Sequence, residues 1–437
     1  MSGRDCDMAI VGGGLAGGLI ALALARLRPE VVVRLVEAGP APGGNHRWSW
    51  FSSDLSGEGA LLMARFRATR WDHGYDVGFP GHVRRLATPY NSLASEEFAA
   101  GLARELPAGT ILTNRSAAAL DAGGVTLGGG ERIAARTVID CREFRPTPHL
   151  AGGWQVFLGR RMRTSGPHGV ERPVIMDATV AQEGGYRFLY VLPLGADELF
   201  LEDTYYQDSP ALDRSALSRR IDEYCAQNGW EGELLGSETG VLPVVTGGDF
   251  ARWQAERRIE GVARAGAHAG FLHPLTSYTL PFAVETALAV AREADLPGDQ
   301  LAAMLEARAR GHWRRTKFYR RLGAMLFDAA RPEERWRVFA RFYRLSAPLI
   351  ERFYAARSTR ADRLRILCGR PPVPLGRALG VFLPHRGRGT MPVLSDAAGG
   401  VEGQSMVEGH PPHSPSLPPV PLHPPPAGPP PRAGEDL

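Results

Sequence analysis

The chain has 437 residues, 44% of them hydrophobic, which is ample for a sizeable core and suggests two domains or one large composite one. The net charge of +4 rests almost wholly on arginine, and with no nucleic-acid module in view it gives no support for a nucleic-acid partner. Cys6, Cys141, Cys225 and Cys368 lie far apart without a C-x-x-C pair, which argues against a zinc or redox site and fits a reducing compartment, the bacterial cytoplasm.

The first segment, "MAIVGGGLAGGLIALALA" at 8–25, carries no charge. Asp5 and Asp7 precede it where a signal peptide has a basic cluster, and three consecutive glycines suit a membrane helix poorly, so neither a signal peptide nor a transmembrane span is expected. A β-α-β unit explains it better. "DMAIV" ending at Val11 reads as a buried strand, and Gly12-Gly13-Gly14-Leu15-Ala16-Gly17 supplies G-x-G-x-x-G. Helical spacing follows to Arg28, where Pro29 stops it, and a second strand over Val31–Ala38 carries Glu37, twenty residues after Gly17. Gly12 permits the turn, Gly14 admits a pyrophosphate, Gly17 lets helix and strand pack closely, and Glu37 accepts from ribose hydroxyls. Gly43-Gly44 just after the acid favour FAD over NAD. His46, Trp48 and Trp50, clustered with Arg47, either line the site or pack in a core beside it.

Residues 51–110 mix loops with a helix near Ser92–Arg104, and "AARTVIDCRE" at 134–143 reads as a strand ending at Asp140. From 153 to 203, "WQVFLG", "PVIMDATV", "YRFLYVLPL" and "LFLEDT" suggest an antiparallel sheet. In the last of these, Glu202 and Asp203 are adjacent, so in a strand they point to opposite faces. A helix over 212–228 and a strand over 239–245 follow. The segment 261–293 reads as strand, Gly-rich loop with Gly266, then helix, as at a second flavin contact. Residues 300–370 are helical, with Phe318, Leu322, Met325 and Leu326 on one stripe and Trp336, Phe339 and Tyr343 on another. Such stripes lie on a membrane surface or pack on a core. The stretch 386–437 is Pro-rich and reads as a disordered tail.

The segments "AIVGGGLAGGLIALAL", "VEAGPAPGGNHRWSW", "VIDCR", "PVIMDATV", "LFLEDT", "GVLPVV" and "HPLTSYTLP" occur in the order seen in one family: over most of 7–355 the chain resembles the bacterial lycopene beta-cyclases. It departs from them where Cys141 and Glu143 replace glycines and where Ser277 stands before Tyr278 in place of a glycine. The resemblance implies an α/β fold with a Rossmann-like FAD-binding domain of the two-dinucleotide-binding flavoprotein type. Residues 1–145 with 239–299 would form it, 146–238 an antiparallel substrate sheet, and 300–372 a helical region with a possible membrane contact.

By the same resemblance, the activity is redox-neutral cyclisation of the ψ-ends of lycopene and other ψ-end carotenoids to β-ionone rings, through γ-carotene to β-carotene. The cofactor would be reduced FAD, with NAD(P)H as reductant. The place would be the cytoplasmic face of the bacterial membrane, held peripherally, beside other carotenoid enzymes. The acid thought essential in the family falls on Glu202, with Asp203 pointing away to orient the loop. Burial raises the pKa of a carboxyl and keeps its proton on. The sequence leaves open whether Glu202 or reduced flavin gives the proton. His273 is a weak candidate for the base. A flavin monooxygenase or dehydrogenase acting on a large apolar substrate is the competing reading, and such hydroxylases usually show a Gly-Asp pair that "RAGAHAG" lacks.

Overall fold

A computed structural model describes residues 4–368, so the Pro-rich stretch lies outside the described residues. The β-α-β unit forms where the apolar pattern puts it: β1 (Cys6–Val11), α1 (Leu15–Leu27), then β2 (Val33–Val36), which runs parallel to β1. Leu19 through Leu24 are fully buried in α1, because the helix is covered by the sheet, by α3 (Ser95–Glu105) and by α6 (Leu280–Arg292). A helix that is apolar all round is a buried one, which accounts for the uncharged run at 8–25. No helix among the described residues is long and apolar enough to cross a membrane.

The first sheet has the order β8 (Ile111–Leu112), β2, β1, β11 (Arg132–Asp140), β10 (Gly124–Leu127), β9 (Ala117–Asp121), with β17 (Val262–Arg264) also on β11. Its β8–β2–β1–β11–β17 pairings are parallel, and the β9–β10–β11 hairpins are antiparallel. The second sheet runs β16 (Gly232–Gly248), β12 (Leu150–Thr164), β15 (Glu198–Gln207), β14 (Tyr186–Pro193), β13 (Val174–Asp177), β5 (Tyr75–Phe79), β6 (His82–Leu86). It is antiparallel except between β13 and β5. A small third sheet joins β3 (Arg47–Phe51), β7 (Tyr90–Ala94) and β4 (Thr69–Trp71).

Three expectations change here. The helix expected from Ser92 begins at Ser95, because Ser92 to Ala94 complete β7. β16 begins at Gly232 and pairs with β12 along its length, so a boundary at 239 falls inside a strand of the second sheet. β5 and β6 also belong to that sheet, although they lie within 1–145.

Both faces of the second sheet are covered. On one, Leu217, Ile221 and Cys225 of α4 (Arg214–Gln227) pack on Leu199, Leu201 and Tyr205. On the other, Phe200 and Tyr206 share a core with α8 (Lys317–Asp328), α9 (Trp336–Phe342) and α10 (Ala347–Tyr354). Leu326, Phe339 and Tyr343 are 2%, 7% and 0% exposed in that core, so these members of the two stripes pack inward, while Phe318, Leu322, Met325 and Trp336 are half-buried at its edge. The remaining helices are α2 (Glu58–Met63), α5 (Phe250–Glu256), α7 (Gly298–Arg315) and α11 (Arg360–Leu367).

Candidate active site

The dinucleotide end is assembled by close backbone approach. Gly12 has φ +100°, a left-handed conformation that glycine adopts freely, and a Cβ there would meet the Cys141 carbonyl oxygen at 2.9 Å. A Cβ on Gly17 would lie 2.0 Å from the Gly12 oxygen, so strand and helix touch only because it is absent. At Gly14 the opposite holds: a Cβ would meet nothing within 4 Å, and α1 opens at this residue with no side-chain cap. Open space over an uncapped helix start is what a pyrophosphate needs. Glu37 is fixed beside it, accepting from the backbone N–H of Gly13 at 2.7 Å and of Gly39 at 2.6 Å. Gly266, at φ +71°, brings the second loop against Ala16, whose Cβ would sit 2.9 Å from a Cβ at 266. Val11 and Leu15 are buried in the core and offer only backbone, while Gly44, at φ +63°, is exposed. The residues present therefore fit FAD at the loop where the sequence places it.

Beyond these loops lies the second sheet, and the register across four of its strands builds a row. Tyr190 on β14 stands opposite Glu202 on β15, Glu202 opposite Gly159 on β12, and Gly159 opposite Glu238 on β16. Partners in register point to one face. That face meets the segments that follow the cofactor loops: Arg47, three residues past Gly44, and Tyr278, just before α6. The Arg47 guanidinium lies 5.0 Å from the Phe200 ring and donates to Ser92 Oγ at 3.3 Å. The hydroxyls of Tyr90 and Tyr278 are 3.2 Å apart.

Burial pushes the Glu202 carboxyl up to about 7, against a hydrogen bond from Thr204 Oγ1 at 2.7 Å and the charge of Arg47. Burial, then the charge of Glu202, pushes Glu238 up to about 8. The phenols of Tyr90, Tyr190 and Tyr278 are raised by burial and stay protonated. Tyr90 is buried while Glu202, Tyr190 and Tyr278 are half-buried, so the row is open to a ligand, and a proton-bearing carboxyl beside these phenols can protonate an apolar molecule and face a cation with aromatic rings.

Asp203 lies on the opposite face. It is fully buried, accepts from Arg187 Nε at 2.8 Å and Tyr205 Oη at 3.1 Å, and is raised by burial against the Arg187 charge. The structure thus brings Glu202 to the row and leaves Asp203 in an ion pair under α4. β3 shows the same alternation. Trp48 packs on Phe98 at 5.1 Å and Trp50 is buried in the α1 core, so both are core residues, while Arg47 and Ser49 face the row. His273 is buried and spent on structure: Nδ1 accepts from the N–H of Leu275 and Thr276, Nε2 donates to the Phe353 carbonyl, and burial lowers it to about 3. Ser277 takes the left-handed φ of +58° that a glycine would hold without strain, anchored by Oγ donating to the Pro243 carbonyl at 2.8 Å. Sequence reasoning did not single out Tyr90, Tyr190, Tyr278 or Glu238: pairing between distant strands puts Tyr190 and Glu238 in the row, and Tyr90 and Tyr278 reach it from the third sheet and from the loop before α6.

The family described as lycopene cyclase protein matches residues 7–379. A lycopene beta-cyclase of Pseudescherichia vulneris is 44% identical over 380 residues, 87% of this chain and 97% of that protein. Lycopene beta-cyclases of Paracoccus sp. and Pantoea ananas are 42% and 40% identical over 87% of this chain, covering 97% and 99% of their own lengths. Among solved structures, a geranylgeranyl bacteriochlorophyll reductase-like protein from Thermoplasma acidophilum is similar with TM-score 0.54 and 14% identity, over 84% of this chain and 96% of that one. A point mutant of the halogenase PltM in complex with FAD is similar with TM-score 0.55 and 13% identity, over 80% of this chain and 82% of that one. At those identities the likeness is one of fold, that of FAD-binding flavoproteins.

Proposed function

Because the chain belongs to the lycopene cyclase family, we propose that it is a lycopene beta-cyclase in which Glu202 is the general acid. It converts the ψ-ends of lycopene into β-ionone rings. The observation that carries the assignment of the acid is the placing of Glu202: a carboxyl that holds its proton near neutral pH, in register with Tyr190, on the face toward the cofactor loops.

The chemistry balances without redox change. The Glu202 proton goes to C2 of the terminal alkene, whose π electrons form the C–H bond and leave a cation at C1. The C5=C6 electrons form the C1–C6 bond and move the cation to C5. Loss of the C6 proton to a base re-forms C5=C6. The enzyme is then an intramolecular lyase or isomerase. Tyr90, Tyr190 and Tyr278 stabilise the cation by their ring faces and keep water away from it. Asp203, held by Arg187, positions the strand from its far side.

Gly12 to Gly17, with the backbone of Val11, Leu15 and Ala16, would hold the pyrophosphate of FAD, Glu37 its ribose, and Gly44 and Gly266 the part nearer the flavin. In reduced form, with NAD(P)H as reductant, the cofactor would supply negative charge to the site. Lycopene is held in lipid, so the enzyme works at the cytoplasmic face of a membrane without spanning it. The contact is drawn to the C-terminal helices, where Phe318, Leu322, Met325 and Trp336 are half-buried and Leu364 and Leu367 of α11 are 64% and 51% exposed beside the exposed Arg360 and Arg365.

Expression in a bacterium that accumulates lycopene, followed by pigment chromatography, tests the activity. Ring-bearing products are expected. Unchanged lycopene in cells that contain flavin-loaded protein overturns it.

A further inference from the structure

Elsewhere on the surface arginines meet acids: Arg132 pairs with Asp121 at 2.7 Å, Arg85 with Asp76 at 3.0 Å and Arg357 with Glu285 at 3.2 Å. The C-terminal helices depart from this. Arg314 and Arg315 end α7, Lys317 and Arg321 lie on α8, and Arg360 and Arg365 lie on α11. All are exposed, and none is in an ion pair among the described residues. α8 carries no acid before its last residue, Asp328, and the one acid of α11, Asp362, is buried and held by Arg352 at 2.7 Å. The helix period sorts the outer side of α8 further. Lys317 and Arg321, four apart, stand together, and Phe318, Leu322 and Met325 form a half-buried edge beside them. α11 adjoins that edge, with the Arg363 guanidinium 5.4 Å from the Phe318 ring, and adds the exposed Leu364 and Leu367. Behind the face lies the aromatic core: Tyr319 packs on Phe353 at 5.2 Å, and the next residue, Tyr354, packs on Tyr278 at 5.6 Å.

We propose that this face of α7, α8 and α11 docks on a lipid surface of anionic headgroups, its cations meeting the phosphates and its apolar edge entering the boundary beneath them. An anionic bilayer answers both halves of the face at once. A soluble polyanion would meet the arginines and leave Leu364 and Leu367 in water. A neutral bilayer would cover the leucines and leave a group of unpaired cations without counter-charge. Because the cations are exposed, salt screens their attraction, so headgroup charge and ionic strength together set how much enzyme is held at the lipid. The proposal rests on the reading that the enzyme works at a membrane, and it adds which lipid the enzyme selects.

The test is co-sedimentation of the full-length, FAD-loaded protein with vesicles of phosphatidylcholine, alone or with phosphatidylglycerol replacing about a third of it. Binding to the mixed vesicles is expected to be tighter by about a hundredfold or more, and high salt should remove the difference. Equal binding to both vesicles overturns the proposal, and so does a protein that binds RNA but not the mixed vesicles. Lys317→Glu with Arg321→Glu reverses two charges, and each basic residue at an anionic surface strengthens binding about fivefold. The double variant should therefore lose about a hundredfold or more on mixed vesicles and bind neutral ones like the parent. Unchanged binding to mixed vesicles overturns the face as the contact. Both side chains are exposed, so FAD content and Tm should match the parent's; if the variant does not fold, the lipid and salt dependence of the parent decides. Cyclisation of lycopene in detergent micelles keeps the two readings apart. Cyclisation there without preference for anionic vesicles sinks this surface alone, and that preference without cyclisation in any medium sinks the cyclase reading alone.

Discussion

Replacing Glu202 by glutamine removes a transferable proton and keeps nearly the same volume. Cyclisation should fall at least a hundredfold, within the range of about 10²–10⁴ that a general acid supplies, while FAD stays bound. Turnover within a few-fold of the parent would return the proton to the flavin. Stability should move the other way. The folded pKa of Glu202 lies above the unfolded one, so its contribution is present below about pH 4.5 and is lost as pH rises through about 7. Glu202→Gln should match the parent in acid and be more stable at pH 8 by about 3 kcal/mol, a Tm rise of about 4 °C by calorimetry. Strand alternation alone reveals that Glu202 and Asp203 part company. It does not reveal which face is the site, because both faces of β15 are buried. Nor does any single-sequence signal join Glu238 to Glu202, since the link is a pairing through Gly159 on a third strand.

At the scale of elements, two glycines of one motif should fail differently. Gly14→Val points into open space and should leave the fold intact while excluding FAD; full flavin occupancy in the purified variant would refute the site. Gly17→Ala puts a methyl against the Gly12 carbonyl oxygen, a backbone atom that cannot swing aside. It should lower stability by about 2–3 kcal/mol, read as a drop in Tm. The β-α-β unit was legible because its periodicity, glycines and acid all agree locally. The helical stripes were not, because amphipathic spacing is the same whether a helix meets lipid or a sheet. Phe339→Ala settles the difference by direction: a loss of about 3–5 kcal/mol is expected of a core aromatic, and a change in vesicle binding without loss of stability would contradict the packing.

For the whole molecule, the proposed cyclisation asks a flavoprotein fold to serve a reaction that would move only protons and carbon–carbon bonds. Reductant should be needed to start turnover anaerobically, yet no NADPH should be consumed per ring. One NADPH oxidised for each ring formed would favour the oxidoreductase reading. The order of a dinucleotide unit, a sheet and terminal helices was legible from element types in sequence. The division into lobes was not, since β5, β6 and β16 join the second sheet through pairings between distant segments.

The adjacent acids of β15 also bear on how such an enzyme tolerates insertions and deletions during its descent. A one-residue slip reverses every side chain of a strand, and in most active-site strands that removes the key group. Here the slip would carry Asp203 to the row in place of Glu202, still opposite a glycine. Leu199, Phe200, Leu201, Tyr205 and Tyr206 are apolar on both faces and could exchange sides, so the cost falls on buried Arg187, which would lose Asp203 as its partner. A lineage can therefore pass through a shifted strand with a carboxyl still at the reaction centre, one methylene shorter.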